Sequence, residues 1–195
     1  LGNFQQEQTE VPTLSEEQAE ALRQINEHFA DKQVVLLHGV TGSGKTQVYM
    51  EKIKELIDQG KQVAYILPEI ALTTQIINRL RKVFGNVVGI YHSKFNHNER
   101  VEIWNKVLHN EYKIVIGARS AVFLPYSDLG LVIVDEEHDQ ALKQVTPAPR
   151  YHGRDAAILL AHYFDAKVLL GTATPSVETR FNCDTGKYGL VTLNN

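Results

Sequence analysis

Six short apolar runs recur along the chain, with helical patterns between most of them. The runs are mostly rich in Val, Ile and Leu, and they cover residues 33–38, 62–67, 87–91, 113–116, 131–134 and 167–170. Such runs are typical of strands buried on both faces of a parallel sheet. Helical spacing of apolar residues predicts helices over 47–58, 72–84 and 98–110. This alternation predicts an α/β fold, a doubly wound, mainly parallel sheet with helices on both faces.

The first part of the chain predicts a tail followed by a helix. Residues 1–13 are polar and include Pro12, as expected of a linker or tail, so the domain covers 14–195. Ser15 and Gln18 are spaced as a capping box, and apolar residues from Ala19 to Phe29 continue the helix. Because the first residue is Leu1, we expect a fragment of a longer chain.

Composition excludes several classes of protein. The chain is 43% hydrophobic and 22% charged with a net charge of −3, and it lacks a signal pattern or an apolar run long enough for a membrane span. Its single cysteine, Cys183, excludes an internal disulfide and a cysteine-based zinc site. We therefore expect a cytoplasmic protein without zinc or membrane attachment. The mild acidity still permits a local basic groove for nucleic acid.

A phosphate-binding loop is the strongest motif. Residues 39–46 match G-x-x-x-x-G-K-[ST] directly after a predicted strand and before a predicted helix. Backbone N–H groups and the helix N-terminus would surround phosphates, Lys45 would neutralise them, and the Thr46 hydroxyl would coordinate Mg²⁺. The predicted ATP-binding residues of this loop are Gly39, Val40, Thr41, Gly42, Ser43, Gly44, Lys45 and Thr46.

Three carboxylates follow the apolar run 131–134. Crowded acids are unfavourable unless a cation or a reaction uses them. Asp135 suits a magnesium ligand, and Glu136 suits a residue that polarises the attacking water. By itself this segment could equally be a solvated acidic turn, but together with the phosphate loop it favours a catalytic site.

Further motifs resemble the DEAD/DEAH-type helicases of superfamily two, and more particularly the bacterial primosomal helicases of replication restart. The residues that carry this resemblance are Leu67–Thr73, Gly117–Pro125, Asp135–Asp139, Pro149–Asp155 and Gly171–Ser176. The resemblance implies the first RecA-like lobe of such a helicase. It also implies that the second lobe, a zinc region and an N-terminal DNA-binding portion are absent from these residues.

The resemblance also implies roles for single residues. Gln18 would recognise adenine, and Lys45 and Glu136 would be catalytic. The stretch from Lys143 to Arg154 would sense DNA and signal to the ATP site; Leu142 stands where an aromatic residue is expected, which leaves Tyr151 for stacking. The residues implied in coupling and DNA binding are Thr73, Thr74, Arg119, Ser120, His138, Gln144, Arg150, Tyr151, Arg154, Thr172 and Thr174.

The implied function is ATP-driven movement along single-stranded DNA from 3′ to 5′ by the intact protein, in replication restart and primosome assembly. Its partners would be single-stranded and forked DNA and other primosome and replication proteins, in the nucleoid region of the cytoplasm. We expect the 195-residue chain alone to be a monomer that hydrolyses ATP at a near-background rate.

Two other classes of function stay open. A P-loop kinase would share the phosphate loop but has no use for the 171–176 motif, and a nucleotide-gated docking module would bind without hydrolysis. Among the other residues, we expect His92 and His97 to be surface residues rather than metal ligands. The helical spacing of Trp104 with Val101, Val107 and Leu108 predicts a core position for Trp104.

Overall fold

The fold is built on a seven-stranded parallel sheet, and a separate pair of strands brings the number of described strands to nine. The computed structural model describes residues 9–194. The strands are β1 (Val34–Gly39), β2 (Gln62–Ile66), β3 (Val88–Tyr91), β4 (Ile114–Gly117), β5 (Leu129–Asp135), β6 (Lys143–Gln144), β7 (Tyr151–His152), β8 (Lys167–Thr172) and β9 (Gly189–Leu193). The sheet order is β3-β4-β2-β5-β8-β1-β9. Strands β6 and β7 form a separate antiparallel pair.

Helices cover both faces of this sheet. They are α1 (Glu16–Phe29), α2 (Lys45–Asp58), α3 (Thr74–Phe84), α4 (His97–Leu108), α5 (Gly153–Tyr163) and α6 (Val177–Asp184). Helices α1, α2 and α3 pack against one face, and α4, α5 and α6 pack against the other. The predicted doubly wound α/β fold is therefore confirmed. In the described range 9–194, no helix has the length and apolar character to span a membrane.

The central strands are buried because each contributes to both helical layers. Leu37 and Ile133 belong to the core beneath α1, α2 and α3, whereas their neighbours Leu36 and Val134 belong to the opposite core. Successive side chains of a strand point to opposite faces, so continuous apolar runs are needed here. Full burial of such a side chain stabilises the fold by about 1.5–3 kcal/mol.

Because the strands are parallel, the strand ends that carry the motifs lie together along the carboxyl edge of the sheet. Strand β8 lies between β1 and β5, and β2 lies on the other side of β5. The loop after β1 holds the phosphate-binding motif, β5 ends at Asp135, and β8 ends at Thr172. The carboxyl edge of the sheet is thus the place where these residues meet.

The structure corrects several details of the sequence analysis. The pattern of apolar residues did not predict β9, α5 or α6. Trp104 was predicted to be core, which is wrong: it is 48% exposed, because α4 turns Ile103 and Val107 towards the sheet instead. The capping box of Ser15 and Gln18 is confirmed. Residues 1–8 of the predicted tail lie outside the described residues; beyond them, the Thr9 amide donates to the Lys82 carbonyl.

Candidate functional site

The phosphate loop turns sharply into α2 at a glycine with left-handed backbone. Gly44 has φ of +90°, and a Cβ there would lie 2.1 Å from Gln18 Nε2. A side chain here would be strained by the backbone conformation, and it would also displace the Gln18 amide. The next residue, Lys45, opens α2 with its side chain buried, and its Nζ donates to the carbonyls of Gly39 at 2.7 Å and Val40 at 3.2 Å.

The loop has the features of an anion-binding cradle. It contains a buried ammonium at Lys45 and ends at the N-terminus of α2, whose first N–H groups favour negative charge. In addition, the buried Ser43 Oγ lacks a hydrogen-bond partner within the described part of the chain. Buried polar atoms are normally satisfied, so an unpaired hydroxyl in this loop fits a ligand that supplies the missing partner. The residues present therefore fit a nucleotide phosphate.

Asp135, at the end of β5, is held by two buried tyrosines. The Tyr49 hydroxyl donates to Asp135 Oδ1 at 3.0 Å and the Tyr65 hydroxyl donates to Oδ2 at 3.4 Å. Burial raises the pKa of Asp135, because a desolvated carboxylate is disfavoured. A bound cation would favour the ionised carboxylate, so these residues also fit Mg²⁺. Sequence reasoning missed both tyrosines, which lie in ordinary apolar stretches.

Glu136 follows in a left-handed conformation with φ of +50°. For a residue other than glycine, this backbone conformation costs on the order of 1–3 kcal/mol. Residues strained in this way cluster at functional sites. The Glu136 amide donates to Asp135 Oδ1 at 3.1 Å, which fixes the two acids relative to each other. The backbone therefore changes direction at Glu136, directly after the carboxyl end of β5.

These groups share one cleft of about 330 Å³. Its lining includes Thr41, Gly42, Gly44, Lys45, Thr46, Gln47, Arg79, Asp135 and Glu136. The structure thus brings the lysine of the phosphate loop, the Thr46 hydroxyl and the two acids to the same place. Arg79, from α3, is a further cation that the sequence did not single out, since it lies within an amphipathic helix.

Gln18 ties α1 to the phosphate loop. Its amide nitrogen donates to the Gly44 carbonyl at 3.4 Å and to Gln47 Oε1 at 2.5 Å, while its side-chain oxygen accepts from the Ser15 amide. The Gln18 side chain is buried. It therefore lies against the phosphate loop and is not among the residues that line the cleft.

His138 connects the acidic segment to the end of β8. Its Nδ1 lies 2.6 Å from Thr172 Oγ1 and 3.8 Å from Glu136 Oε2. Thr172 is fully buried, and its Oγ1 also accepts from the Thr174 amide at 3.0 Å, whereas the Thr174 residue itself is exposed. The structure thus joins the acidic motif physically to the 171–176 segment.

The third carboxylate, Glu137, faces away from the cleft into a buried network. It is fully buried and accepts four hydrogen bonds, from Arg154 Nη1, the Ser176 amide, Ser176 Oγ and Thr179 Oγ1, at 2.8–3.1 Å. Arg154 is itself buried in this network. The expectation that Arg154 contacts DNA phosphate does not fit this burial, because the Glu137 carboxylate already engages its guanidinium.

The remaining predicted DNA-contacting residues divide into structural and exposed groups. Thr73 Oγ1 accepts from the Ile76 amide as the N-cap of α3, and Gln144 donates to two carbonyls of its own loop. Arg119 donates to the Ala141 carbonyl at 2.7 Å, and Ser120 is half-buried. Three of these predicted contacts, Thr73, Thr74 and Arg150, are exposed.

Tyr151 is half-buried rather than free. Phe123 packs on it edge-to-face, with ring centroids 4.9 Å apart and planes at 80°, and Phe123 is 55% exposed. Sequence reasoning missed Phe123, although it lies in the quoted 117–125 motif. The exposed aromatic surface near the 143–154 loop is therefore mainly that of Phe123.

The fold and the loop define an α/β lobe of the P-loop class. The chain belongs to the DEAD/DEAH box helicase family, because residues 15–181 match the sequence pattern of that family. It is similar to the replication restart protein PriA of Bacillus subtilis, with 41% identity over 95% of this chain and 23% of the relative. The same protein of Rickettsia felis is 46% identical over 95% of this chain and 28% of the relative. The resemblance found in the sequence is thereby confirmed, over about a quarter of those relatives' length.

Solved helicases share the fold. The structure of RecG bound to a three-way DNA junction superposes with a TM-score of 0.67 and 22% identity, over 94% of this chain and 24% of that chain. The UvsW helicase of bacteriophage T4 superposes with a TM-score of 0.61 and 14% identity, over 98% of this chain and 64% of that chain. Membership of a helicase family implies the use of a nucleotide and Mg²⁺.

Proposed function

We propose that this lobe binds ATP with Mg²⁺ and that the intact polypeptide couples ATP hydrolysis to movement along DNA. The observation that carries the proposal is the shared cleft of Lys45, Thr46, Asp135 and Glu136. A cradle of amides and an ammonium facing two acids is the arrangement that phosphoryl transfer requires, because its catalysis depends on positioning and charge stabilisation. Family membership supports the same reading.

The residues of the cleft divide the work between them. Lys45 leaves its loop carbonyls to neutralise the β- and γ-phosphates, and the amides of residues 39–46 surround them. Thr46 and Asp135 would hold Mg²⁺, which supplies charge neutralisation between the phosphates when bound. Glu136 orients the attacking water and accepts its proton. Gln18 lies beside the loop and contacts the adenine.

The DNA path in this proposal follows the carboxyl edge of the sheet. Thr73, Thr74, Arg119 and Ser120 contact the DNA backbone, and Arg150 contributes a phosphate contact. Similarity to replication restart proteins supports single-stranded and forked DNA as the ligands, other replication proteins as partners, and translocation from 3′ to 5′. A cytoplasmic, nucleoid-associated location goes with this role.

The 195-residue chain by itself should be a monomer with near-background hydrolysis. In such enzymes an arginine supplied across the nucleotide is worth about 10³–10⁵ in rate. The relatives are about four times as long as this chain, which leaves room for a second lobe to supply that arginine.

The test is ATP hydrolysis by the intact polypeptide with and without single-stranded DNA. We expect DNA to stimulate turnover and Glu136→Gln to abolish that turnover while leaving nucleotide binding in place. Stimulation by small-molecule acceptors instead of DNA would point to a kinase. Binding without any hydrolysis, and no effect of Glu136→Gln, would point to a docking module.

A further inference from the structure

An exposed aromatic pair lies beside the carboxyl edge of the sheet. Phe123 ends the 3-10 turn Arg119–Phe123 that follows β4, and Tyr151 forms part of β7. Their rings meet edge-to-face at 4.9 Å. This geometry fixes the orientation of the Phe123 ring, while 55% of the residue stays open to solvent. Exposure alone does not single out Phe123, since Phe181 is 65% exposed; the distinguishing feature of Phe123 is that Tyr151 holds its ring while one face stays open.

One cation lies next to this pair, and two more lie close to Tyr151 in the β6–β7 segment. Arg119 begins the same 3-10 turn and lies close enough to Tyr151 to oppose the rise in the Tyr151 pKa that burial causes. Arg150, the residue before Tyr151, is exposed, and so is Lys143 at the start of the loop. An aromatic face with guanidinium groups nearby suits a base and its neighbouring phosphates.

The fold places this pair near the ATP cleft. Strand β4, which leads to Phe123, is separated from β5 and its acids by β2 alone. Tyr151 continues directly into α5, whose second residue, Arg154, bonds to Glu137 beside Asp135 and Glu136. A ligand on Phe123 is therefore connected to the acidic motif through one short, well-bonded segment.

We propose that Phe123 is a base-stacking residue for single-stranded nucleic acid, supported from the side by Tyr151, with Arg150 contacting a phosphate. The proposal rests on the proposed function, since it places the bases of the same DNA strand. Phe123 takes the stacking role that the resemblance had implied for Tyr151, because Tyr151 is half-buried beneath Phe123.

The experiment uses tryptophan as a reporter at this position. The chain has one tryptophan, the exposed Trp104, so in a Trp104→Phe background Phe123→Trp supplies the sole tryptophan emission. Titration at low salt with oligothymidylate should quench this emission, and an abasic phosphodiester strand of the same length should not. The matched control is Phe181→Trp in the same background, another exposed phenylalanine, on α6, and we expect no quenching there.

A second measurement gives the size of the effect. In fluorescence anisotropy with labelled oligothymidylate, Phe123→Ala should weaken binding by about 5- to 150-fold, the usual range for one base–aromatic stack. Arg150→Ala should weaken binding and reduce its salt dependence by about one phosphate contact.

The outcomes separate this inference from the proposed function. Equal quenching by the abasic strand, no quenching by either strand, or an unchanged affinity of Phe123→Ala would each overturn the stacking role, and the last two would indicate that another part of the polypeptide covers Phe123. ADP binding is measured on the same variants: intact ADP binding without quenching sinks the stacking role alone, whereas absent ADP binding by the parent chain sinks the proposed function.

Discussion

The buried pair of Glu137 and Arg154 allows a sharp test of how the site is held together. Glu137→Ala removes the acceptor of four hydrogen bonds and leaves the Arg154 guanidinium, whose side chain is 8% exposed, without its buried partner. Breaking a buried ion pair from one side costs about 3–5 kcal/mol. Asp155, 3.0 Å from Arg154 Nε, still offers partial compensation, so we expect about 3 kcal/mol. That is a large fraction of the roughly 5–15 kcal/mol that stabilises a typical protein.

The assay is urea unfolding of the chain, followed by circular dichroism. The matched control is Glu20→Ala, which breaks the exposed Arg23–Glu20 pair on α1 and should leave the unfolding midpoint unchanged. Replacing Glu137 and Arg154 together by Met should recover much of the loss, because no buried charge is then left uncompensated. A Glu137→Ala midpoint equal to that of the Glu20→Ala control would refute the reasoning.

Three further substitutions test the contacts around the cleft. Tyr49→Phe removes a hydroxyl that donates to Asp135, and we expect the affinity for ADP at limiting Mg²⁺ to fall about fivefold, the worth of one hydrogen bond; an unchanged titration would contradict this. Asp135→Asn should raise the melting temperature of the metal-free chain, because burial disfavours the ionised carboxylate and raises the pKa of Asp135. The same change should remove the Mg²⁺ dependence of ADP binding. A lower melting temperature would contradict this prediction. Gln18→Ala loses the capping box and the contact with Gly44, so calorimetry should show a loss of about 1 kcal/mol, or about 2–4 °C. No change would mean that the cap is not stabilising.

Much of the fold follows from local pattern. Strands such as β5 are buried on both faces and carry continuous apolar runs, so they can be identified without the tertiary structure. Strand β9 is an edge strand that alternates buried residues with a partly buried and an exposed one, a weaker pattern in a short segment. Trp104 was misplaced because helical spacing gives the phase of a stripe but not which of two neighbouring stripes faces the sheet.

The site was predictable where a motif fixes the backbone. Gly44 and Lys45 stand in a turn whose geometry depends on their own residue types. The partners of Asp135 were not predictable, since Tyr49 and Tyr65 reach it from a helix and a neighbouring strand, distant in sequence. Likewise, three successive acids look equivalent in the sequence, and only the packing of Arg154 shows that Glu137 faces a buried network.

Titration of this chain with a fluorescent ADP in the presence of Mg²⁺ measures the cleft directly. We predict saturable binding that Lys45→Ala weakens by at least about tenfold, the size of a lost charge-assisted contact. Lys54→Ala is the control, since this exposed lysine of α2 pairs with Asp58, and its affinity should equal that of the parent chain. Equal affinity of the Lys45→Ala variant and the parent would contradict the assignment of the phosphate site.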